Sequence, residues 1–169
     1  MRPVLAACAL LAAGGALAQP APRAPRARVA CAVSYHPLPA VLGDLLGPAS
    51  PLSLTALRDG AFVAFRDRDG ALRLARTDED LEPVSPARTL ARDVSAFSMT
   101  ATREGAALAW VEARRTLVLA RVDAENELEN VPRVLAASGD IIDRVLIARA
   151  GDDLAAAWST ERGARVFAL

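Results

Sequence analysis

Residues 60–78 read GAFVAFRDRDGALRLARTD, and residues 105–123 read GAALAWVEARRTLVLARVD. Each stretch opens on glycine, runs through small or apolar residues to an aromatic (Phe65, Trp110), and crosses a polar turn. Each then resumes as LRLAR or LVLAR and closes on aspartate. The two belong to a longer self-match. With a shift of 45, Thr55–Ala91 falls on Thr100–Ala136, and fifteen of the 37 aligned positions are identical. Ala is abundant here, yet only five of those fifteen are Ala pairs. A partial third copy follows at a shift of 48, where Ala109-Trp110 falls on Ala157-Trp158.

The pieces inside each copy are four to seven residues long, with Gly, Asp and Arg between them. That is strand length and turn chemistry rather than helix length. A first apolar run (52–57, 97–101, 145–148) precedes a turn, the aromatic-ended run, a second turn, a third run and an acidic connection. A fourth run, RTLA or RVLA, ends the first two units. Gly70 closes Asp67-Arg68-Asp69-Gly70, a hairpin turn in which glycine tolerates positive φ. The second run is apolar on both faces, as expected of a strand covered by neighbouring sheets on each side. Four short strands repeating every 45 to 48 residues match the blade of a β-propeller. The fold class expected is therefore all-β, with consecutive four-stranded antiparallel blade-like repeats after a signal peptide. The units are 52–96, 97–142 and a partial 143–169.

The segment ahead of the repeats reads differently. Arg2 carries one positive charge, Val4–Ala18 is an uncharged apolar stretch, and Ala16-Leu17-Ala18 has the small-x-small pattern of a signal-peptidase site. The stretch is too short to span a bilayer, which takes about 20 residues. Residues 1–18 are thus a signal peptide cleaved after Ala18, and the protein is expected in the periplasm or secreted. Leu5–Cys8 resembles a lipobox, but hardly any apolar segment precedes Cys8, so lipidation is not expected. Residues 19–27, rich in Pro, Ala and Arg, read as an extended tether. Residues 28–51 read as a β-prone strand (Arg28–Tyr35) and a loop with one short helical turn at most. The strand at 28–35 is expected either to pair within its own molecule or to complete the third unit of a second copy.

The chain has 169 residues, 53% of them hydrophobic, enough for an ordered core. Its 20 basic residues, all Arg, balance 20 acidic ones. A chain without a basic field is a poor candidate for nucleic acid, whose binding rests on counterion displacement. The use of Arg alone, beside so much Ala, reads as coding bias.

Chemistry-bearing residues are few. Cys31 and His36 are an odd number of residues apart, which would put them on opposite faces of a strand, and neither has the company a zinc site needs. Asp78, Glu79, Asp80 and Glu82, and likewise Asp123, Glu125, Glu127 and Glu129, form acidic clusters at equivalent connections. Such clusters could bind calcium or supply acid/base carboxylates, but their repetition reads as a solvated acidic rim. Asp67 and Asp69 resemble half a calcium loop, but the equivalent Glu112–Arg115 has reversed charge, so they read as turn residues. Arg76/Asp78 and Arg121/Asp123 read as recurring inter-strand pairs. No catalytic, cofactor-binding or metal residue and no cofactor is assigned.

From residue 52 onward the chain resembles β-propeller repeats, loosely those of secreted sialidase-like (BNR-type) proteins. The carriers are the two stretches quoted above. Arg68 stands where the sialidase Asp-box has aspartate, and no Trp follows Gly70. The resemblance therefore implies a fold and no activity. Two and a half blades fall short of the four to eight of a ring. The expected function is a non-enzymatic exported binding or interaction module. Its partner would be a protein or glycan, with no membrane span, and self-association through open strand edges is a further expectation. The alternative is a fragment or relic of a larger carbohydrate-active propeller enzyme.

Overall fold

The computed structural model describes residues 51–169 except Asp152. The signal peptide expected at 1–18, the tether expected at 19–27, the strand expected at 28–35, Cys31 and His36 lie outside the described residues.

The described residues are all-β. The first sheet contains β1 (Leu52–Leu57), β2 (Gly60–Arg66), β3 (Leu72–Thr77) and β4 (Arg88–Ala91), in that order. The second contains β5 (Val94–Ala101), β6 (Gly105–Glu112), β7 (Thr116–Asp123) and β8 (Arg133–Ala137), also in order. The third contains β9 (Ile142–Ala150), β10 (Asp153–Thr160) and β11 (Gly163–Ala168), with β10 central. Every pairing is antiparallel.

The repeat in the sequence is a repeat of register. Ala64 pairs Leu74 in the first sheet, and 45 positions later Ala109 pairs Leu119. Strands β5 and β9 begin earlier than their apolar runs suggest, at Val94 and Ile142. The backbone N–H of each first residue bonds back to a turn carbonyl of the preceding sheet: Val94 to Gly70 at 3.0 Å, and Ile142 to Arg114 at 2.8 Å. Both first residues are also buried in the core, Val94 with the first sheet and Ile142 with the second.

An alanine-rich segment such as β6 is a poor strand former in isolation. Here burial on both faces decides: Gly105 through Val111 are all buried. Side chains alternate across the strand. Ala106, Leu108 and Trp110 pack toward Phe62, Leu72 and Leu74 of the first sheet. Ala107, Ala109 and Val111 pack with Ile147, Leu154 and Trp158 of the third. Small residues on the central strand let its neighbours come close, and the bulky partners fill the space between sheets. Trp110 is 1% exposed and Trp158 is 8% exposed, so both aromatics are buried at equivalent places.

Two glycines recur for a steric reason. A Cβ on Gly60 would lie 2.0 Å from the Thr77 carbonyl oxygen, and one on Gly105 would lie 2.1 Å from that of Val122. No side chain fits at either point.

Polar ties join the sheets at several places. Arg66 Nη1 donates to the carbonyls of Val94 and Ser95 at 3.2 and 3.3 Å. Arg88 Nη1 donates to the Asn126 carbonyl and to Glu127 Oε2. Asn126 Nδ2 reaches the Leu74 carbonyl at 3.4 Å from a backbone held at φ 69°, a conformation asparagine adopts readily. The Ile147 N–H donates to Ser98 Oγ at 3.2 Å. Strand β5 thus lies against β9 as well as against β1.

Candidate functional site

The acidic connections are built, not merely solvated. Asp78 Oδ1 accepts the N–H groups of Asp80 and Glu82 at 3.0 and 2.9 Å. Asp123 Oδ1 accepts those of Glu125 and Glu127 at 3.0 and 2.8 Å. Each aspartate folds its own loop into a turn that the backbone then closes, Asp78 N–H to Glu82 carbonyl and Asp123 N–H to Glu127 carbonyl, both at 3.0 Å. This corrects the reading of Arg76/Asp78 as an inter-strand pair: from β3, Arg76 Nη2 bonds Asp59 Oδ2 in the β1–β2 turn at 2.8 Å. The repeated aspartate is explained by backbone N–H donors. Among the described residues, no group of three or more His, Cys, Asp or Glu side chains is placed to hold a metal ion.

Asp67 holds the β2–β3 hairpin in the same manner. Its Oδ1 accepts the N–H groups of Asp69 and Ala71 at 3.0 and 2.9 Å, and its Oδ2 accepts Arg73 Nε at 2.6 Å. Burial pushes the carboxyl pKa up. The Arg73 hydrogen bond, the two backbone donors and the Arg73 charge outweigh it and hold the group below its ordinary value. This is a structural aspartate in a turn.

The side-chain cluster left over by these roles is a notch of about 250 Å³ at one end of the junction between the second and third sheets. Thr102, Arg103 and Glu104 enter it from the β5–β6 turn, and Arg121 from β7. Glu129 comes from the acidic connection, Arg149 from β9 and Leu154 from β10. The backbone fixes three of these points. The Thr102 N–H bonds the Gly105 carbonyl at 3.0 Å, and the Glu129 N–H bonds the Arg121 carbonyl at 3.0 Å. Arg149 Nε donates to the Gly151 carbonyl at 2.6 Å, which steadies its guanidinium. Thr102 Oγ1 is shielded from solvent and has no hydrogen-bond partner among the described residues. Three guanidiniums and two carboxylates thus line the notch.

Of these residues only Glu129, within the second acidic cluster, is weighed as a site from the sequence. A trace of the signal is present, since Arg103, Glu104 and Arg121 align with Arg58, Asp59 and Arg76 of the first unit. In the first sheet the equivalent arginine and aspartate, Arg76 and Asp59, pair with each other. The third arginine comes from another sheet at an unrelated position, so spacing alone does not assemble the cluster.

No protein-family model matches the chain, and neither a curated protein nor a solved structure is significantly similar to it. Among the described residues, no helix is long and apolar enough to cross a membrane.

Proposed function

We propose that the chain is an exported, non-enzymatic binding module. In this reading its sheets are blades of a partial β-propeller, and its ligand presents a single carboxylate to the notch between the second and third sheets. The observation that carries the reading is the convergence of Arg103, Arg121 and Arg149 from two sheets on one notch. Guanidinium groups hold carboxylates in charge-assisted, often bidentate hydrogen bonds. Glu104 and Glu129 line the same notch and would accept from the hydroxyl groups of such a ligand. A group combining hydroxyls with one carboxylate is an acidic sugar, which narrows the ligand to the glycan class. The blade reading is supported by the sheets stacking through opposite faces of one another, with their first strands side by side.

Isothermal titration with glucuronate, with glucose as the neutral control, tests this. Glucuronate should bind and glucose should not. Arg121→Gln should weaken glucuronate by about 10–100-fold, the worth of one charge-assisted hydrogen bond. Equal binding of the two sugars, or of glucuronate to wild type and Arg121→Gln, would refute the site.

A further inference from the structure

The first and second sheets repeat one cavity at the start of the fourth strand, and only the first is filled. Arg88 opens β4 opposite Leu74, and 45 positions later Arg133 opens β8 opposite Leu119. Ser85, Pro86 and Arg88 wall the first cavity. Asn130, Val131 and Arg133, at the same offsets, wall the second, of about 320 Å³. The other wall of the first cavity is the acidic turn of the next sheet, Glu125–Glu127. From that turn Glu127 Oε2 and the Asn126 carbonyl accept from Arg88 Nη1, the latter at 3.1 Å. Asn126 Nδ2 donates to the Leu74 carbonyl. Among the described residues no acidic turn enters the second cavity, whose remaining walls are β7 and Leu169. There the Arg133 guanidinium has neither an ion pair nor a hydrogen bond among the described residues, and Arg133 is exposed where Arg88 is half-buried.

We infer that the second cavity is a docking site for an acidic turn of another polypeptide, which sets a glutamate carboxylate on Arg133. The filled cavity supplies the template for the fit. Its occupant is a self-contained turn, in which Asp123 Oδ1 accepts the N–H groups of Glu125 and Glu127, so the recognised unit is local in sequence. Charge favours the same class of occupant at the second cavity. Arg121 lies diagonal to Arg133 on one face of the sheet and also lines the cavity. Its counterpart Arg76 is paired with Asp59, whereas the Arg121 guanidinium has no ion pair among the described residues. Two unpaired guanidiniums hold carboxylates through charge-assisted hydrogen bonds. Residues 1–50 are a poor source for the turn, since they hold four arginines and a single acidic residue, Asp44. The occupant is therefore a partner polypeptide with glutamates spaced as in Asp123–Glu129.

Fluorescence anisotropy of a labelled peptide DAENELE, the sequence of residues 123–129, titrated with the full chain is the test. The peptide should bind, and the same peptide with glutamine in place of its three glutamates should not. Arg121 also lines the notch, so the discriminating change is Arg133→Gln, at a residue that lines this cavity and not the notch. It should weaken binding about 10-fold or more, the worth of a charge-assisted hydrogen bond, with an unchanged melting curve. Val131→Glu, at a site 89% exposed, puts a carboxylate in the same cavity and should also abolish binding. Arg114→Gln, exposed in the β6–β7 hairpin, should bind like wild type. No binding of the peptide up to about 1 mM chain, equal binding of the glutamine peptide, or undiminished binding by the folded Arg133→Gln or Val131→Glu variant overturns the inference.

Discussion

Replacing Trp110 by alanine probes the sheet junction at its largest buried side chain. The indole is 1% exposed and sits in the core shared by the first and second sheets. Emptying such a site costs about 3–5 kcal/mol, because the lost transfer energy is joined by a cavity that a close-packed core only partly closes. The indole N–H also donates to Glu112 Oε1 at 2.8 Å. Glu112 is only partly buried, so water replaces that donor, and the added loss is about 0.5–1 kcal/mol. Domains of this size have total stabilities of about 5–15 kcal/mol, so the variant should retain its fold but with a much lower midpoint. Trp158 is the internal comparison. It occupies the equivalent place in the third sheet but is 8% exposed, and β11 beside its strand is exposed along its length. With less surface to lose, Trp158→Ala should cost about 1–2 kcal/mol less. Urea unfolding followed by circular dichroism reads both, with an unchanged slope expected. A loss below about 1 kcal/mol for Trp110→Ala, or a larger loss for Trp158→Ala, would refute the packing argument.

Other perturbations separate the remaining parts. Gly105→Ala should destabilise by more than about 3 kcal/mol, since its Cβ would meet a backbone carbonyl. Gly139→Ala, with no atom within 4 Å, should stay within about 0.5 kcal/mol of wild type in the same urea assay. Asp67 has a folded pKa below 3.8, so its ion pair contributes above about pH 4 and is lost as pH falls through the folded value. Asp67→Asn should therefore be about 1–2 kcal/mol less stable at pH 7. It should also show less stability loss than wild type on acidification below pH 4, as read by melting temperature against pH.

The strands were legible because the repeat states each of them more than once. Phe65 and Trp110 stand at the same offset from Gly60 and Gly105, and that offset alone marks the two-sided central strand. The glycines themselves were visible as identities, but their cause, a carbonyl oxygen 2.0–2.1 Å from any Cβ, was not. Asp78 and Asp123 were visible too, and were assigned to the wrong partner. Strand pairing put Arg76 within plausible reach, whereas the backbone N–H groups two and four residues on were nearer. The extended starts of β5 and β9 rest on main-chain bonds to a preceding turn and on buried Val94 and Ile142, which Ser95 and Asp143-Arg144 cut off from the apolar runs that follow. The notch was the least legible feature. Its arginines lie on different strands of two sheets, so only the packing of those sheets brings them together, and a chain with arginine as its sole cation hides three among twenty.

Amide shift mapping by two-dimensional NMR, with glucuronate titrated into the labelled chain, locates the ligand on the sheets. The expected result is a set of progressive shifts confined to Thr102–Gly105, Arg121, Glu129, Arg149 and Leu154, and none of that pattern with glucose. Shifts centred on the acidic turns at 78–82 and 123–127, or no shifts at glucuronate concentrations that saturate the calorimetric signal, would contradict it.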